Sequence, residues 1–122
     1  MQLASIPTAL PMIPALTTPF SRRYPDVRYT VWSCTTKEIL NLLANLESEA
    51  GFGYLDNEPL GKVSTIPLDR EKYCLFTKRR DFASRLSVAW AEVAALPLCL
   101  LTQDMQNRRI IDSQLQRAGA TA

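Results

Sequence analysis

Residues 96–119 read LPLCLLTQDMQNRRIIDSQLQRAG, and this stretch decides the fold class. An apolar run over 96–101, bounded by Pro97, has the length of a buried strand. Thr102, Gln103 and Asp104 break it. From Gln106 the apolar residues Ile110, Ile111 and Leu115 recur at helical spacing until Gly119 ends the pattern. A buried strand that feeds a helix through a polar turn leaves free backbone N–H groups at its carboxyl end, where a small polar or anionic ligand fits.

Two stretches towards the amino terminus share this layout. Residues 1–6 are a short apolar strand candidate ended by Pro7 and Thr8. From Ala9 the residues Leu10, Ile13, Leu16 and Phe20 recur at three- and four-residue steps. Pro14 and Pro19 oppose that pattern, because each removes an amide donor and crowds the preceding turn. The expectation is a helix to about Arg23, kinked or started late. Residues 27–32 alternate as a strand. The polar junction 33–36 then opens a second helix carrying Ile39, Leu42, Leu43 and Leu46, with Thr35 or Thr36 as its cap and Thr35 to Glu38 at capping-box spacing.

Further along, residues 50–55 supply another strand, closed by a turn over 56–61. Residues 62–68 (KVSTIPL) and 71–77 (EKYCLFT) read as two more strands. A short helix capped by Ser87 carries Val88, Trp90, Val93 and Leu96. The order β-α-β-α-β, two strands, α-β-α predicts an α/β architecture with a largely parallel sheet. Residues 66–70 mark the start of a second small lobe.

Composition narrows the function classes. At 122 residues the chain suits one modest domain, and 47% hydrophobic with 21% charged residues is ordinary globular composition. The formal charge of +2 demands neither nucleic acid nor an acidic partner. The chain has no histidine, so neither a zinc ligand set nor an imidazole base is available, and no metal or cofactor is expected. Cys34, Cys74 and Cys99 lack CxxC spacing, and the last two fall in expected buried strands as free thiols. Reduced cysteines and the want of a leader or long apolar run point to the cytoplasm. Gly51-Phe52-Gly53 lacks the third glycine of a dinucleotide loop. No carboxylates show paired catalytic spacing, so the chain does not read as an enzyme.

Five segments together resemble one family: SIPTALPMIPAL (5–16), YPDV (24–27), TTKEILNLLANLE (35–47), GFGYLDNEP (51–59) and VAWAEVAALPLCLLTQDMQNRRIID (88–112). Their order and spacing are similar to the effector-binding domain of the LysR-type transcriptional regulators. The resemblance implies a periplasmic-binding-protein-like (type 2) α/β domain of two lobes, present incompletely: lobe one over 1–67 and the start of lobe two over 68–122. It implies a truncated fragment without the helix-turn-helix that reads DNA in that family, and hence a marginally stable chain. A small effector between the lobes would alter how a dimeric or tetrameric regulator acts on its promoter. A transport-type solute-binding protein shares the fold and is the alternative. A truncated partner forming mixed dimers with a full-length regulator is a third reading.

The resemblance places effector contacts at Ser5, Pro7 and Thr8, at Ser33, Thr35 and Thr36, and at Thr102, Asn107 and Arg108. Thr8 and Thr36 can equally serve only as helix caps, as can Asp104. Arg108 and Arg109 can pair bidentately with a carboxylate, but on a helix they point about 100° apart, so both can also face solvent. The mixture of hydroxyl, amide and guanidinium groups favours a small organic anion.

Overall fold

Ser5 and Ser33 end up side by side in the computed structural model, which describes residues 1–119. Strand β1 (Gln2–Ser5) pairs in parallel with β2 (Thr30–Ser33), Gln2 opposite Thr30 and Ser5 opposite Ser33. On its other edge β1 pairs in parallel with β3 (Ala50–Phe52), Ser5 opposite Phe52. The sheet order is therefore β2-β1-β3. All three strands end at one edge of the sheet, so the segments that leave them begin there together. The pairing continues one step further: Cys34 N–H donates to Ser5 O at 2.8 Å and Ile6 N–H to Phe52 O at 3.1 Å.

The prolines decide the first crossover. Residues Pro7–Met12 form a 3-10 turn with Pro7 at its start and Pro11 inside, and α1 (Ile13–Arg23) follows. Pro14 lies in the first turn of α1, where a missing N–H costs nothing. The helix thus starts late, and Pro19 is carried in its interior. Helix α2 (Thr36–Ala44) begins on Thr35, whose Oγ1 accepts the N–H of Glu38 at 3.2 Å. It is capped by Asn45, and Leu46 follows, a non-glycine residue with φ 57°. Helix α2 covers the sheet closely, since a Cβ placed on Gly51 would run into Ile39 Cγ2. The core is small: Ala4, Ile6, Ala9, Cys34 and Ile39 are buried, with Leu42, Leu43, Phe52 and Tyr54 packed against them.

Several expectations beyond residue 53 are overturned. Segments 62–68, 71–77 and 96–101 form no strand. A strand exists only where a neighbour accepts its hydrogen bonds, and among the described residues these segments have none; Pro67 and Pro97 also remove donors. Ile66 is 80% and Phe76 95% exposed as a result. Cys74 and Cys99 are exposed, not buried. The short helix is α3 (Trp90–Ala94), capped at Ala89 and not at Ser87; Glu92 Oε2 accepts the Ala89 N–H at 3.0 Å. Helix α4 (Gln106–Arg117) forms where the apolar spacing put it, and Gly119 follows with φ 78°. Its Gln106 and Leu115 are buried to 1% and 0% exposure. Among the described residues no helix is long and apolar enough to cross a membrane.

Candidate functional site

The site is built where the strands end. Thr8, one turn beyond β1, shares a 3.1 Å hydrogen bond with the hydroxyl of Tyr54, two residues beyond β3. Tyr54 O–H donates to Glu71 Oε2 at 2.7 Å, and Asn107 Nδ2 donates to the phenol oxygen at 3.0 Å. One phenol thus ties the first junction, the third junction and the first turn of α4. Burial pushes the Tyr54 phenol up; the bonds from Thr8 and Asn107 pull against it and Glu71 adds to it. It stays a neutral donor.

A second set lies beside it on the same turn of α4. Thr36 Oγ1 donates to Gln106 Oε1 at 2.7 Å, and Gln106 Nε2 donates to Asn57 Oδ1 at 2.9 Å. Thr36 and Gln106 are both buried. Both ends of the Gln106 amide are therefore met by residues distant in sequence, 70 and 49 positions away. Next to them Arg109 grips Glu58 with two bonds, 2.5 Å to Oε1 and 3.0 Å to Oε2. The hydrogen bond from Arg109 holds the Glu58 carboxyl below its ordinary value, against the effect of burial. The loop after β3 is thus tied to α4 at three residues, Tyr54, Asn57 and Glu58.

The structure brings Thr8, Thr36 and Asn107 of the expected set into one neighbourhood. Ser5 is buried and gives its proton to Ile6 O at 2.8 Å. Thr35 holds the start of α2. Pro7, Ser33 and Thr102 are exposed, and the Thr102 carbonyl accepts from the N–H of Met105, the residue that caps α4, at 3.0 Å. Arg108 donates from Nε to Asp112 at 2.8 Å and from NH1 to Leu101 O at 3.0 Å. Neither arginine is a plain solvent-facing group, and neither guanidinium is free for a carboxylate. Met105 caps α4 instead of Asp104, whose carbonyl accepts from Arg109 at 2.9 Å.

Tyr54, Asn57, Glu58 and Gln106 were not singled out from the sequence. The signal for the first three was positional: they follow β3 as Thr8 follows β1 and Thr36 follows β2. Gln106 carried none, because a glutamine opening a helix looks like a surface residue. The site is a closed polar seam. A hollow of about 340 Å³ lies elsewhere, between α2 and residues 60–63, and another of about 560 Å³ is bounded by residues 94–100 and Arg108. Among the described residues no three His, Cys, Asp or Glu side chains gather as a metal site would require.

Residues 1–122 match the family described as LysR substrate binding domain. No curated protein and no solved structure matches the chain.

Proposed function

The chain belongs to the LysR substrate-binding domain family, and from that premise we propose that it senses a small organic effector for a LysR-type transcriptional regulator. Members of this family serve transcription regulation, not catalysis, and share a periplasmic-binding-protein-like α/β fold. The three-stranded parallel sheet with its helices is consistent with that fold. In the proposed division residues 1–67 belong to lobe one and 68–122 to the start of lobe two. The effector meets Thr8 and Thr36 from the first and Asn107 from the second, with Ser5, Pro7, Ser33, Thr35, Thr102 and Arg108 around them. Binding there changes how α4 sits on the sheet edge. A dimer or tetramer of the regulator carries that change to DNA through a helix-turn-helix that belongs to the regulator, not to residues 1–122.

The observation that carries this reading is the meeting of Thr8, Tyr54 and Asn107 on one hydroxyl. Side chains from positions 8, 54 and 107 converge at the carboxyl ends of parallel strands, the place where open α/β sheets bind ligands. A thermal-shift screen of small metabolites against the purified protein, followed by NMR mapping, tests it. The expected result is a stabilising compound that perturbs Thr8, Thr36 and Asn107. Hits that perturb only the hollow at Leu40 and Val63, or a screen without hits, would overturn the reading.

A further inference from the structure

Helix α2 buries Ile39 in the core and carries Leu40 and Leu43 along one wall of a hollow of about 340 Å³. Sites for small molecules run from about 300 to 1,000 Å³, so this volume is at the lower end of that range. Leu60, Lys62 and Val63 form the other wall. The chain turns tightly there: Gly61 takes the left-handed φ of 76°, and Val63 N–H donates to Gly61 O at 3.0 Å. Leu40, Leu43, Leu60 and Val63 are only partly buried. The hollow therefore leaves apolar surface that a ligand's hydrocarbon can take out of water.

The polar groups of the hollow have one sign. Lys62 and Asn41 line it, and no lining residue is acidic. Among the described residues Lys62 pairs with no carboxylate, whereas Arg79, Arg85, Arg108 and Arg109 each hold one. The last carbonyls of α2 do not claim the ammonium either. Asn41 O and Leu43 O accept from Asn45 N–H, and Leu42 O accepts from Glu47 N–H at 2.8 Å. A cation without a partner thus stands beside an apolar wall, and the Asn41 amide can donate next to it.

We propose that this hollow is a binding site for a small amphipathic carboxylate, with its hydrocarbon against Leu40, Leu43, Leu60 and Val63 and its carboxylate at Lys62 and Asn41. The site is separate from the seam of Thr8, Tyr54 and Asn107, and it stands whether or not an effector binds in that seam. Residues 60–63 continue the loop tied to α4 at Tyr54, Asn57 and Glu58. A ligand that joins them to α2 steadies that loop.

Titration of the whole chain with octanoate, octan-1-ol and octylammonium, followed through backbone amide NMR signals, tests this. Octanoate should shift Leu40, Leu43, Leu60 and Val63 saturably. Octan-1-ol should bind at the same place more weakly, and octylammonium should not bind. Each methylene removed from octanoate should weaken binding by up to about fourfold. Lys62→Gln changes an exposed residue, and it should weaken octanoate about fivefold while leaving octan-1-ol unchanged. Ala44→Trp, at an exposed position on the same wall, should block both. Octylammonium binding as tightly as octanoate, an unchanged octanoate affinity in Lys62→Gln, or no saturable shift at the hollow overturns the proposal. Octanoate shifts confined to Thr8, Thr36 and Asn107 would also overturn it, and would favour effector sensing in the seam instead.

Discussion

Thr36 Oγ1 and Gln106 Oε1 lie 2.7 Å apart across a separation of 70 residues, and both side chains are buried. This bond joins the start of α2 to the start of α4. Removing one partner leaves the other buried and unpaired, at a cost of about 1–3 kcal/mol, whereas replacing both by apolar groups can be nearly neutral. Gln106→Leu and Thr36→Val should therefore each lower the urea midpoint, and the double variant should recover most of the loss. Strictly additive losses in the double-mutant cycle would show that the two side chains do not interact.

How much of this was legible in the sequence depends on distance along the chain. The starts of α2 and α4 are local, so spacing located them; it left the α2 cap between Thr35 and Thr36, and Thr35 is the one that holds the Glu38 N–H. The delayed start of α1 follows from Pro14, whose place is a first turn. Segments 62–68, 71–77 and 96–101 have strand-like composition, but a strand is a pairing and not a composition, and among the described residues no partner lies beside them. Gln106 was invisible for the same reason. Its burial is decided by Thr36 and Asn57, and no periodicity within α4 reports either.

The tie between Glu58 and Arg109 should make α4 docking acid-sensitive. Arg109 holds the Glu58 carboxyl below its ordinary value of 4.5, so the folded state releases that proton more readily than the unfolded chain. The contribution is present in full above about pH 4.5 and is lost as pH falls through the lower folded value. Melting curves of wild type and Glu58→Gln check this. Wild type should be the more stable near neutral pH, and the gap should close on acidification below pH 4.5. A gap that stays constant would mean that the carboxylate's charge is not what matters.

Tyr73 should limit stability at the alkaline end. Burial first, then the charge of Tyr54 and Glu71, pushes its phenol up to about 12. The folded state thus keeps a proton that the unfolded chain loses near pH 10, and the stability so gained is full below pH 10 and disappears as pH approaches 12. Tyr73→Phe should flatten the alkaline limb of the melting profile without changing the neutral one. An unchanged limb would assign the loss to other groups.

Leu46 should be a site of easy stabilisation. It follows the Asn45 cap of α2 with φ 57°, and two bonds close the turn around it: Leu46 N–H to Leu43 O at 3.2 Å and Glu47 N–H to Leu42 O at 2.8 Å. That is the Schellman arrangement, in which glycine is preferred because a Cβ is strained in the left-handed region. The side chain is 91% exposed, so little packing is lost with it. Leu46→Gly should raise stability by about 1 kcal/mol, read from the urea midpoint at unchanged slope.

Gly51 should resist even the smallest enlargement, for a reason specific to Ile39. A Cβ on Gly51 would collide with Ile39 Cγ2, while Leu43 Cδ1 at 3.4 Å and Ala4 O at 3.9 Å are ordinary contacts. The obstacle is therefore one branch methyl on α2, held in a core where Ile39 is 5% exposed and has little room to move. Gly51→Ala should cost about 1–3 kcal/mol, the range for overpacking a well-filled interior. Ile39→Leu moves the branch one carbon outward and removes that methyl from the contact. Gly51→Ala/Ile39→Leu should then be more stable than the sum of the two single changes predicts, by urea denaturation. An additive result would place the strain in the β3 backbone and not at the helix, and α2 would no longer be what requires glycine at position 51.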